Sequence, residues 1–279
     1  MLIDAKTLAN HLHDPGWVIF DCRHDLFDLA KGESLYREGH IPGAHFANVD
    51  TELSGDKSGT NGRHPLPSPA AFTAFLARNG VSNASTVVAY DDVGGQFAAR
   101  LWWMTRWIGL SNVSLLDGGI QKWLAEGRTL STDVPAPSPS PLRGSADPLM
   151  VWSAAEVLAH IDDANISLID ARTAERYHGE TEPIDPVAGH IPNALNRFYK
   201  SNLHADLTFR PPQEIRSEFS VLTGNKAPEQ VVHYCGSGVT ACANLFAMEH
   251  AGLHGSKLFT GSWSEWVADP TRPVVRLGK

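Results

Sequence analysis

This 279-residue sequence predicts an α/β fold in two tandem copies, each a parallel sheet with helices on both faces. Three observations carry that expectation. A set of short motifs recurs in the same order in both halves of the chain. Within each half, short β-rich runs alternate with helix-like stretches. A segment dominated by proline and serine separates the halves.

The repeats come first. VIFDCR (18–23), GHIPGA (39–44), VVAYD (87–91) and LLDGGIQKW (115–123) are answered by SLIDAR (167–172), GHIPNA (189–194), VVHYC (231–235) and LFTGSWSEW (258–266). Asp21 thus matches Asp170, His40 matches His190, Asp91 matches Cys235 and Gly118 matches Gly261. Four ordered matches indicate a duplication, with one domain at 1–130 and another at 149–279. The stretch 131–148, STDVPAPSPSPLRGSADP, favours extended backbone and reads as a linker long enough to wrap around one domain.

VVHY (231–234) is an apolar run of the type that forms a strand buried on both faces. In the stretch after it, Val239, Cys242, Ala243, Phe246 and Ala247 recur at helical spacing and predict one apolar helix face, with Gly252 at the helix end. The first half repeats the plan as VVAY, DDVGGQ and FAARLWWMTRWIG. Strand–loop–helix units of this kind assemble parallel sheets. The interval from His40 to Asp91 is longer than that from His190 to Cys235. It holds LSGDKSGTNGRHP (53–65), a long Gly/Ser/Asp-rich loop, and long loops are often functional.

Composition narrows the function. The hydrophobic fraction of 42% is that of a globular chain, and no apolar run is long enough to span a membrane. MLIDAKTLANHLHD has no basic start followed by an apolar stretch, so no signal segment is expected. A net charge of −8 argues against nucleic acid as the partner. The three cysteines, Cys22, Cys235 and Cys242, form no disulfide framework and suit a reducing, cytoplasmic setting. The 13 histidines are scattered, and no metal site or cofactor is expected.

Cys235 stands between a buried strand and a helix, at the head of the loop CGSGVT. The glycines let backbone N–H groups turn inward into a nest for negative charge, and the helix N-terminus adds partial positive charge. Both favour a thiolate, and the same cradle, Gly236, Ser237, Gly238, Val239 and Thr240, would hold a persulfide anion. The ordinary reading of a cysteine is a buried structural thiol, and it suits Cys22 and Cys242. Asp91 replaces the cysteine in the first half, and a carboxylate cannot carry sulfane sulfur, so that domain is expected to be catalytically silent. Cysteine phosphatases also place the cysteine between strand and helix. They need an arginine six positions later, where this chain has Ala241.

CGSGVTA, the paired GHIP motifs, DGG and GSWSEW resemble the tandem-domain sulfurtransferases of the rhodanese superfamily along nearly the whole chain. The loop is similar to the Cys-Gly-Ser-Gly-Val-Thr of 3-mercaptopyruvate sulfurtransferases. Thiosulfate sulfurtransferases typically carry Cys-Arg-Lys-Gly-Val-Thr, which suits a compact dianion. The resemblance implies sulfur transfer from 3-mercaptopyruvate through a Cys235 persulfide to a thiol, cyanide or protein acceptor, with thiosulfate as the alternative donor. It also implies that Ser237 works with His64, in RHPLP, and with Asp50 to move a proton. A solvated loop histidine is the plainer reading of His64, and the extra loop residues blur the alignment that selects Asp50. For the donor carboxylate the resemblance points to Arg176. A second arginine of the family pattern falls at Asp185, a departure for which Arg197 is the expected substitute, although an ordinary surface ion pair would also explain Arg197. Asp21–Arg23 and Asp170–Arg172 are expected to be buried pairs fixing strand ends, and His40 and His190 to be structural.

Overall fold

The computed structural model describes residues 1–136 and 138–276. Pro137 of the expected linker and residues 277–279 of the expected second domain lie outside the described residues. The chain forms two compact units. The first comprises 1–55, 66–147 and 203–209, the second 56–65, 148–202 and 210–279. Each unit therefore takes a short segment from the other half of the sequence, which the repeat alone does not reveal.

In the first unit, strands β1 (Leu2–Ile3), β2 (Trp17–Asp21), β3 (Ala44–Phe46), β4 (Thr86–Tyr90) and β5 (Val113–Leu116) form one sheet. Its order is β1-β5-β4-β2-β3, parallel throughout. Helices α1 (Ala5–Asn10), α2 (Lys31–Glu38), α3 (Pro69–Arg78), α4 (Ala98–Trp107) and α5 (Gly119–Ala125) connect and cover it. Local chemistry sets several starts. Asp4 accepts from the Thr7 amide and Ser68 from the Ala71 amide, each satisfying an orphan donor of a first turn.

The second unit repeats the plan. Strands β6 (Val151–Trp152), β7 (Ser167–Asp170), β8 (Leu195–Asn196), β9 (Val231–Tyr234) and β10 (Lys257–Phe259) lie in the order β6-β10-β9-β7-β8. They too are all parallel. Its helices are α6 (Ala154–Ala159), α7 (Ala174–His178), α8 (Pro212–Leu222), α9 (Ala241–His250) and α10 (Ser262–Trp266). Ser153 and Glu156 form a reciprocal capping box at the start of α6.

β9 is buried along its whole length, as its apolar run requires. The single apolar face expected for the following helix is too narrow a description. Ala241 through Met248 are all buried, because α9 is covered by α8 and by the short turn Tyr199–Asn202 as well as by the sheet. Trp102, Trp103, Trp123, Trp263 and Trp266 are fully buried, each contributing several kcal/mol of hydrophobic stabilisation by order of magnitude.

Asp21 pairs with Arg23 and Asp170 with Arg172, each at 2.6 Å. Arg23 also donates to the Gly39 carbonyl and Arg172 to the Gly189 carbonyl, so each pair ties a strand end to its GHIP segment. His40 stacks on Tyr36 and His190 on Tyr177, each bonded through Nδ1 to that tyrosine's carbonyl. The Pro/Ser-rich stretch runs along the first unit, where Ser140, Ser145 and Asp147 donate to the carbonyls of Ala77, Ile108 and Trp107. Among the described residues, no helix is long and apolar enough to cross a membrane.

Candidate active site

Cys235 follows the last residue of β9 and is 2% exposed. Its amide donates to Ser262 Oγ at 3.1 Å, and its carbonyl accepts from the Trp263 amide at 3.0 Å. The Gly236 carbonyl accepts from the Ser264 amide at 2.9 Å. The turn at the start of α10 thus pins the loop from beneath. Ser262 holds a left-handed φ of 53°, an unfavourable conformation for a serine that its two hydrogen bonds offset. Gly238, at φ 78°, has no alternative residue, since a Cβ there would fall on the Thr260 carbonyl.

The loop leads directly into α9. Among the described residues, the amides of Gly236, Ser237, Val239 and Thr240 donate to no protein acceptor. These are the donors of an anion nest. Ser237, itself buried, lies 2.7 Å from His64 Nδ1 through its Oγ. His64 arrives on segment 56–65, which belongs to this unit. Two contacts hold that segment on the α10 turn. The Arg63 amide donates to Ser264 Oγ at 3.0 Å, and Gly62 approaches the Gly261 carbonyl closely.

Two guanidinium groups flank the loop. A Cβ on Gly236 would meet Arg63 Nη2 at 2.8 Å and Arg176 Nη2 at 3.5 Å. Arg63 pairs with Asp185, and Arg176 bonds to Glu182 at 2.7 Å and to Asp185 at 3.3 Å. The arginine side chains are 28% and 16% exposed, the two carboxylates 3% and 4%. Burial pushes the Asp185 carboxyl up, against the pull of Arg63 and Arg176. Burial also opposes charge on Glu182, but Arg176 and the amides of Ile184 and Asp185 hold that carboxyl below its ordinary value.

The geometry brings Cys235, Ser237, His64 and Arg176 to one place, and not Arg197. That guanidinium bonds to Asn202 Oδ1 at 2.8 Å and Glu218 at 2.9 Å and lies over the Phe219 ring. None of these contacts is with residues 235–240. The guanidinium that stands beside Gly236 together with that of Arg176 is Arg63, not the expected Arg197. Arg63 stands in the same RHPLP segment as His64, so that segment carried the signal, but only the fold places its guanidinium at Gly236. Ser262 was missed as well. Its clue is its place opposite Gly119 of the DGG motif, which shares its left-handed φ. Asp50 lies in the first unit, its Oδ2 3.6 Å from His24 Nε2. Cys22 and Cys242 are buried thiols, and burial pushes the Cys22 thiol well up.

The corresponding loop of the first unit is one residue longer and closed. The Asp91 carboxylate accepts the amides of Val93, Gly95, Phe97 and Ala98 at 2.8–3.0 Å. Burial pushes this carboxyl up while the four amides pull it down.

The family model for the rhodanese-like domain matches twice, at residues 4–126 and 153–269. A relative from Pseudomonas aeruginosa, named "Probable 3-mercaptopyruvate sulfurtransferase", is 44% identical over 276 residues, covering 98% of this chain and 97% of its own. The thiosulfate sulfurtransferase of Bos taurus is 30% identical over 288 residues, covering 100% of this chain and 96% of its own. The structure of 3-mercaptopyruvate sulfurtransferase from Leishmania major superposes with a TM-score of 0.83 at 31% identity, covering 95% of this chain and 74% of that one.

Proposed function

The chain belongs to the rhodanese family and is a sulfurtransferase, and we propose that it takes sulfur from 3-mercaptopyruvate as a persulfide on Cys235. The Cys235 thiolate attacks the mercapto sulfur. The carbon–sulfur bond breaks, and its electron pair stays on carbon as the pyruvate enolate. The proton carried by that sulfur ends on the enolate carbon, giving pyruvate and a persulfide anion. An acceptor thiolate, cyanide or protein thiol then attacks the outer sulfur and restores the Cys235 thiolate. The amides of residues 236–240 hold the negative sulfur in both states. Arg63 and Arg176 take the donor's carboxylate.

The observation that carries this reading is the 2.7 Å contact of His64 with Ser237, two residues from the nucleophile. A donor that leaves as an enolate needs a proton delivered, and a Ser–His pair can deliver it. Asp50 is the further member of the relay that the resemblance assigns. None of the three cysteines forms a disulfide, which suits a cytoplasmic, reducing setting.

The test is turnover of 3-mercaptopyruvate and of thiosulfate side by side, with cyanide as acceptor, for the unaltered chain and for His64→Ala and Asp50→Asn. His64→Ala is expected to lower kcat with mercaptopyruvate about a hundredfold and to leave thiosulfate turnover nearly unchanged, since sulfite departs without needing a proton. Equal losses with both donors would refute the relay. Thiosulfate is the second reading, since two guanidiniums lie beside Gly236 and would suit a dianion were Asp185 not shared between them.

A further inference from the structure

The family arginine position before the second GHIP holds the opposite charge here, and the structure shows what that charge touches. The Asp185 carboxylate, buried at 3% side-chain exposure, sits on both Arg63 and Arg176. These guanidiniums are the ones within reach of Gly236. Glu182 takes a further share of Arg176 and also bonds Arg172 at 3.2 Å. Arg172 is committed to Asp170 and to the Gly189 carbonyl, whereas Arg63 and Arg176 turn a guanidinium toward the loop at Gly236.

We propose that Asp185 is the specificity-determining residue of the donor site: it is an internal carboxylate on the Arg63–Arg176 pair that admits a monoanionic donor group and disfavours a dianion. The inference rests on the Cys235 sulfurtransferase reading. A carboxylate donor adds one negative charge to a pair already sharing Asp185. A thiosulfate-like group adds two to the same pair, and the second meets the resident carboxylate without a cation of its own. At a site this shielded, a like charge at contact distance is costly, and discrimination arises from that repulsion as much as from attraction.

Asp185 does not touch the reacting sulfur. It acts through Arg63 and Arg176, so its removal should move KM rather than kcat. The substitution Asp185→Asn keeps the shape and removes the charge. It is expected to raise kcat/KM for thiosulfate about tenfold relative to that for 3-mercaptopyruvate, through a lower KM for thiosulfate. Asp185→Glu, which restores the charge, should return the ratio to that of the unaltered chain. An unchanged ratio in Asp185→Asn would overturn the proposal, and so would a change confined to kcat.

A second measurement needs no variant. In the unaltered chain, pyruvate should protect Cys235 from alkylation by iodoacetamide at a concentration about tenfold below that at which sulfate does. Equal protection, or better protection by sulfate, would overturn the proposal. If the unaltered chain transfers sulfur from neither donor, the sulfurtransferase mechanism falls, while the protection ratio still reports whether Asp185 selects the charge of the occupant.

Discussion

The two units place the same loop after the same strand and do opposite things with it. In the first, Asp91 turns its carboxylate back and takes four backbone amides, filling the nest with its own side chain. In the second, Cys235 stands at that position, and the amides of Gly236, Ser237, Val239 and Thr240 have no protein acceptor among the described residues. A nest of N–H groups attracts negative charge wherever the backbone forms one. The first unit supplies the anion from its sequence and gains stability. The second leaves its donors open, at a cost that active sites commonly carry, and under the proposed function a persulfide supplies the anion.

The largest effect should come from exchanging the two roles. Cys235→Ser is expected to lower sulfur transfer at least about a thousandfold and to abolish the one-sulfur mass increase after incubation with donor. Adding Asp91→Cys to that variant should not restore turnover, because the Ser237–His64 pair and the Arg63–Arg176 pair belong to the second unit. Recovery of turnover would mean that the cysteine and loop alone suffice.

Stability should respond in the complementary direction. Asp91→Ala leaves two buried and two half-buried amides without their acceptor and should cost about 3 kcal/mol, read as a lower denaturant midpoint with sulfur transfer retained under native conditions. A shift of a few tenths would mean that water satisfies those amides as well as the carboxylate does.

A smaller difference lies two residues earlier in the same strands, where Ala89 of the first unit matches His233 of the second. His233 is fully buried, its Nδ1 has no hydrogen-bond partner among the described residues, and burial pushes its pKa down to about 3, with Arg197 adding to the effect. The folded chain therefore keeps this imidazole neutral where the unfolded chain protonates it. The stability it contributes is present above the unfolded value of about 6.5 and is lost as pH falls toward about 3, at about 1.4 kcal/mol per pH unit. Unfolding free energies measured across that window for the unaltered chain and for His233→Leu should differ by this slope. Parallel curves would place the acid sensitivity elsewhere.

Much of the fold could be read from local pattern. The VVHY run became a strand buried along its length, and the paired DxR motifs became buried ion pairs because Asp and Arg two residues apart on a strand end face one another. The site was legible to the extent that its parts are local. Cys235 and the glycines of its loop are contiguous, and strand, turn and helix suffice to place them. Arg197 lies away from the loop: sequence proximity to GHIPNA says nothing about which way its side chain turns, and Glu218 and Asn202 draw it away. Arg63 and Ser262 were missed for the same reason in reverse, since each reaches the loop from a distant part of the chain.

The sequence by itself determined the duplication, the parallel α/β plan and the placement of Cys235 and its glycine loop between a buried strand and a helix, opposite Asp91 in the other unit, because each depends on residues a few positions apart and on backbone chemistry common to all chains. Tertiary structure alone decided that segment 56–65 joins the second unit and brings His64 to Ser237. It also decided that Arg63 and Arg176 share Asp185 beside Gly236. Those pairings join residues more than a hundred positions apart or turn on side-chain direction. Direction is set by the packing and charge around a side chain, which no local pattern encodes.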